Sequence, residues 1–182
     1  MKPIYSHVAA ALGLTFAIAA CVPAPRPAPT PTPPPVQVRP TSVPTPTPQP
    51  TYGNWMDAPR SEGDWSYRAQ PGGSLAQFGT PGTAAGFAMR CDGAQRTIVL
   101  TRESAATQAV PMRIRTETAE RVVTAQPVAG QTSAVAVAIP ARDPILDAMA
   151  LTKGRFAIEA QGTQTLYLPA WAEVTRVIED CR

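Results

Sequence analysis

The chain has 182 residues, 44% of them hydrophobic, and its sixteen Lys and Arg against thirteen Asp and Glu give a formal net charge of +3. Lys2, Arg26 and Arg39 account for that surplus; from Tyr52 onward twelve Arg and Lys153 face thirteen carboxylates, so the compact part lacks the basic stripe that binding nucleic-acid phosphates needs. The single histidine, His7, lies in the leading apolar segment, which excludes Ser-His-Asp, Cys-His and the common zinc chemistries from the remainder.

In chain order, Lys2 supplies a positive start and Val8 to Ala20 form an apolar run uninterrupted by charge, too short to span a bilayer as a permanent helix. This is the layout of a secretory signal peptide over residues 1–20. Ile18-Ala19-Ala20-Cys21 resembles the lipobox of bacterial lipoproteins, whose cysteine receives a diacylglycerol and becomes the mature N-terminus. The resemblance implies lipidation at Cys21, with two or three acyl chains, palmitate among them. At about 0.8 kcal/mol per buried methylene these form a durable membrane anchor. Val22, rather than Asp, follows the cysteine, and the expected location is the outer membrane, facing the periplasm.

Residues 21–51 form the next unit. Thirteen of the residues from Pro23 to Pro50 are proline, and proline fixes its own φ while biasing the preceding residue toward extended conformations. Neither helix nor sheet is expected. At about 3.1 Å per residue in polyproline II, such a tether reaches roughly 90 Å, enough to carry a domain toward the peptidoglycan mesh.

Residues 52–182 suffice for one domain with its own core. Trp55, Trp65 and Tyr67 come first and read either as an aromatic ligand platform or as cover for an open end or edge of a sheet. Gln70-Pro71-Gly72-Gly73 reads as a break. Phe87, Met89 and Cys91 then alternate with Ala88 and Arg90 as on a half-buried strand. Arg96 to Arg102, Val110 to Glu117, Arg121 to Ala125, and the alternating Val135, Val137 and Ile139 predict further strands. Asp143-Pro144 predicts an N-cap followed by proline at the first helical position, with a short helix to Thr152. Phe156, Ile158 and Ala160 mark a strand paired with Thr163 to Leu168 across Gln161-Gly162, and Ala170 to Asp180 a terminal helix. The expected fold is mainly β: an antiparallel sandwich or open barrel, with a short helix and a C-terminal helix tied by one disulfide.

With Cys21 acylated, Cys91 and Cys181 are the remaining thiols, and an oxidising compartment favours joining them. Trp171, Val174, Ile178 and Cys181 fall at helical spacings, which turns the second sulfur inward. No metal site or cofactor is expected, and no enzymatic activity. Lys153-Gly154 reads as a helix end rather than a catalytic lysine. Asp143 and Asp147, the carboxylates best placed for glycosidic chemistry, are explained by capping and exposure. Arg113 and Arg115 share the outward face of one strand; if Arg102 or Arg121 adjoin, the face could hold carboxylates or phosphates in bidentate fashion. The alternative is a solvated face balanced by Glu103, Glu117 and Glu120.

Gly63-Asp64-Trp65-Ser66-Tyr67, Phe87-Ala88-Met89-Arg90-Cys91-Asp92, Asp143 to Ala150, Gly154-Arg155-Phe156 and Ile178-Glu179-Asp180-Cys181-Arg182 resemble an uncharacterised lipoprotein family of sphingomonad-type alphaproteobacteria. The layout alone, a strand cysteine, further strands and a terminal helix with a cysteine, is similar to invasion-associated locus B and type VI secretion accessory proteins. Neither resemblance assigns a role to any residue.

The function expected on these grounds is a lipid-anchored, non-enzymatic envelope module that binds an envelope protein or peptidoglycan, with Arg113, Arg115, Trp55, Trp65 and Tyr67 as candidate ligand residues. The alternatives are a periplasmic inhibitor of a hydrolase such as lysozyme, and a weak carboxylate-based cell-wall hydrolase.

Overall fold

The computed structural model describes residues 52–130 and 133–182. Cys21, the segment 1–20 and the proline-rich stretch through residue 51 lie outside the described residues.

The alternating segments become strands because every second side chain is apolar and can be buried on one face. They are β1 (Asp64–Gln70), β2 (Gly73–Gly79), β3 (Phe87–Asp92), β4 (Thr97–Glu103), β5 (Val110–Arg115), β6 (Glu120–Pro127), β7 (Ala134–Pro140), β8 (Arg155–Ala160) and β9 (Leu166–Pro169). Helices α1 (Pro144–Leu151) and α2 (Ala172–Glu179) complete the domain. One nine-stranded sheet runs in the order β1-β2-β3-β4-β7-β6-β5-β8-β9. Every neighbouring pair is antiparallel.

Strand β6 turns the corner. Its first six residues, Glu120 to Ala125, pair with β5, while Gln126 and Pro127 pair with Ala136 and Val135 of β7. The sheet thereby curls into a half-barrel, and inward side chains from its two halves meet: the rings of Phe87 on β3 and Phe156 on β8 lie 6.5 Å apart, edge to face. Met89, Ile98, Leu100, Met112, Ile114 and Ile158 are fully buried around them. Burial of this kind stabilises by about 1.5–3 kcal/mol per large side chain.

The two helices line the concave side. Asp143 caps α1 by accepting from the Ile145 N–H at 3.0 Å, with Pro144 opening the first turn, and Ile145, Leu146 and Met149 enter the core. From α2, Val174, Val177 and Ile178 do the same. The Cys91–Cys181 disulfide, its Cα atoms 5.4 Å apart, joins β3 to the residues that follow α2. The mainly β fold, the open barrel, both helices and the disulfide are therefore as the sequence implied.

The β1–β2 hairpin was not expected. Gln70-Pro71-Gly72-Gly73 is a tight turn rather than a break between irregular segments: Gln70 pairs with Gly73, and Gly72 takes φ +80° between them. Proline before a glycine with positive φ is the residue order that type II turns favour. Trp171 also departs from the expected inward stripe. It is 40% exposed at the N-cap of α2, beneath the Arg60 guanidinium at 4.9 Å.

Candidate binding surface

The alternation of β5 that buries Met112 and Ile114 sends Arg113 and Arg115 to the convex side of the sheet. Register then selects their neighbours. Arg113 lies opposite Glu159 of β8, and Arg115 opposite Glu120 of β6. The four charges form a closed network: Arg113 to Glu120 at 3.3 Å and to Glu159 at 3.7 Å, Arg115 to Glu120 at 3.1 Å and to Glu159 at 3.2 Å. Two cations balance two anions, so the face carries no surplus with which to capture a carboxylate or phosphate. Pairs as exposed as these contribute about 0–1 kcal/mol each.

Neither Arg102 nor Arg121 extends this face. Arg102 points inward at the end of β4, only 6% exposed, where it donates to the carbonyls of Gly86 (2.8 Å) and Gln164 (2.9 Å). Burial pushes its guanidinium pKa below the usual value, against the opposing charge of Glu103. Arg121 pairs with Asp143 at the start of α1. Glu117 meets Lys153 loosely at 3.9 Å, so of the three balancing glutamates expected, Glu120 alone belongs to the network and Glu159 supplies the second carboxylate. Asp147, the other carboxylate considered, pairs with Arg182.

The three aromatic candidates separate. Trp65 is a core residue, 7% exposed, stacked edge to face on Phe78 and Phe87 and donating its indole N–H to the Pro169 carbonyl at 2.8 Å. It closes the gap between the first and last strands, which is the covering role. Tyr67 faces α2: its hydroxyl donates to Asp180 at 2.6 Å and Arg176 lies 4.0 Å over its ring. The Asp180 carboxyl is held below the usual carboxylate range by the Ser74 and Tyr67 hydroxyls, against burial and with a smaller contribution from Arg176. Of the two hydroxyls, the Tyr67 phenol meets it at hydrogen-bond distance. Trp55 alone joins the arginine face. It sits on a 3-10 turn over Trp55–Asp57, started by Asn54 accepting from the Met56 N–H, and its ring lies 5.6 Å from the Arg115 guanidinium.

Beside Trp55 the segment Tyr52 to Glu62 runs along β9 and leaves an open cleft of about 580 Å³. Its lining includes Tyr52, Arg60, Glu62, Gln164 and Tyr167. Tyr52 and Tyr167 meet edge to face at 6.3 Å, and Ser61 fastens the segment to β9 by donating its N–H to the Tyr167 carbonyl and accepting the Tyr167 N–H on Oγ. The Tyr167 phenol pKa is pushed up by burial, then by Glu159 and Tyr52, with Arg115 opposing. It therefore stays a neutral donor at physiological pH. Aromatic walls, phenolic hydroxyls, one cation and one carboxylate suit a ligand that offers both apolar and polar surface. Tyr52, Arg60 and Tyr167 were missed in the sequence, where no spacing links residues 52–62 to 164–167.

Comparison with known proteins returns no match: no family model, curated protein or solved structure corresponds to this chain.

Proposed function

We propose that the chain is a lipid-anchored, non-enzymatic binding module of the bacterial envelope, held by Cys21 in the outer membrane and facing the periplasm. The observation that carries this reading is Ile18-Ala19-Ala20-Cys21 followed by thirteen prolines from Pro23 to Pro50. The cleft between Tyr52–Glu62 and β9 supports it, because its mix of rings and charges suits an envelope protein or the peptide and sugar of peptidoglycan.

The test pairs two variants in cells. Cys21→Ser should lose the lipid from the N-terminal peptide by mass spectrometry and leave the membrane fraction. A photo-crosslinking residue at Tyr167 should capture a discrete envelope species from the native chain. Unchanged membrane association of Cys21→Ser refutes the anchor, and capture no greater than from a site on α2 refutes the cleft. Lysozyme titration and turnover assays on peptidoglycan separate this reading from the inhibitor and hydrolase alternatives.

A further inference from the structure

The two edges of the half-barrel are treated differently. Strand β9 is four residues long, ends in Pro169 and is fastened along its open side by Ser61. These are the usual ways of blunting a sheet edge. Strand β1 has none of them. It is seven residues long, contains no proline, and runs without a bulge from the Asp64–Gly79 pair to the Gln70–Gly73 pair. Among the described residues its backbone makes no hydrogen bond to any neighbour but β2. Among the described residues its hydrogen bond across the gap is that of the Trp65 indole, which reaches Pro169 from the inner side.

The side chains along this edge form a palindrome of chemistry, Asp64-Trp65-Ser66-Tyr67-Arg68. In an antiparallel pair of two such strands related by a two-fold axis at Ser66, Asp64 of each copy lies opposite Arg68 of the other, Trp65 opposite Tyr67, and Ser66 opposite itself. Asp64, Ser66 and Arg68 are exposed, and neither charged residue has an ion-pair partner among the described residues. Opposite charges directly across a strand pair stabilise it, and like charges destabilise it. We propose that β1 is a self-pairing edge: two copies of this chain join antiparallel through Asp64–Arg68, continuing one sheet across a two-fold axis. The short contact is weak by area; confinement of both copies by their anchors, if the reading above holds, raises their effective concentration.

The axis makes the test direct. Facing Cα atoms in antiparallel strands lie about 4.5–5.5 Å apart, within the range of about 4.4–6.8 Å that a disulfide spans. The full chain carrying Ser66→Cys, expressed in bacterial cells with its own leading segment, should give a disulfide-linked dimer on a non-reducing gel. The parent chain and Thr175→Cys, on the exposed side of α2, set the background. Adding Asp64→Arg to Ser66→Cys sets arginines opposite each other on both sides of the axis and should lower the dimer about tenfold. Adding Arg68→Asp as well restores opposite charges and should restore the dimer. Dimer at background for Ser66→Cys, linkage to a different protein, or indifference to both charge changes each overturns the proposal. Unaltered thermal melting of the charge variants establishes that their effect is on pairing rather than folding.

Discussion

Arg102 is the only charged residue among the buried described ones, and its position makes it a latch. It ties the loop before β3, at Gly86, to the loop before β9, at Gln164, across one end of the half-barrel. Replacing it with methionine roughly keeps volume but takes the guanidinium donor from the Gln164 carbonyl and leaves the Gly86 carbonyl with only the Glu103 N–H, an expected loss of about 1–3 kcal/mol in urea unfolding. Arg102→Lys, which has no fork to reach both carbonyls, should fall between. The Tyr67–Asp180 bond yields a pH dependence. Because the Asp180 pKa is depressed in the folded state, its contribution is complete above the ordinary carboxylate range and is lost as pH falls through the folded value. Acid unfolding of Asp180→Asn should therefore be flatter than the parent's over that window; parallel curves would show that the carboxylate contributes nothing.

Among the elements, those that alternate over five or more residues were legible in the sequence, because one buried face imposes a period of two. Strands β3 to β8 follow from that pattern, the pairing of β8 with β9 from Gln161-Gly162 between them, α1 from Asp143-Pro144 and α2 from the helical spacing of Val174, Ile178 and Cys181. The hairpin β1–β2 did not, since Pro71-Gly72 carries the same residues as a domain-edge loop and Ser74, Leu75 and Ala76 are all buried, which erases the alternation. Register between strands distant in sequence was equally hidden. Nothing in the spacing of Arg113 and Glu159 announces that they face each other; packing of the inward residues decides it. The same packing gives Trp65 its place. Trp65→Phe retains the ring in the core but removes the donor to Pro169, with an expected cost of about 1–2 kcal/mol. Amide exchange should rise in β9 more than in β4. Gly73 is a sharper case, because a Cβ there would lie 2.3 Å from the Cys91 carbonyl oxygen. Gly73→Ala should destabilise by about 2 kcal/mol or more, measured against the parent in the same urea titration.

For the molecule as a whole, the disulfide closes a loop of 90 residues. The chain-entropy model assigns such a loop about 4 to 5 kcal/mol, so the paired change Cys91→Ser and Cys181→Ser should move the unfolding midpoint far more than any single surface variant. The strand order has a consequence in time. Strand β4 waits for β7, and β5 waits for β8, before either gains its second neighbour. A chain emerging from its N-terminal side thus holds two apolar edges open until more than thirty further residues of each seam have appeared, and α2 cannot be locked until Cys181 arrives. Folding is in this sense postponed to the end of delivery. On the envelope reading proposed above, such delay suits a chain threaded unfolded through a narrow channel, because its two long-range seams close last.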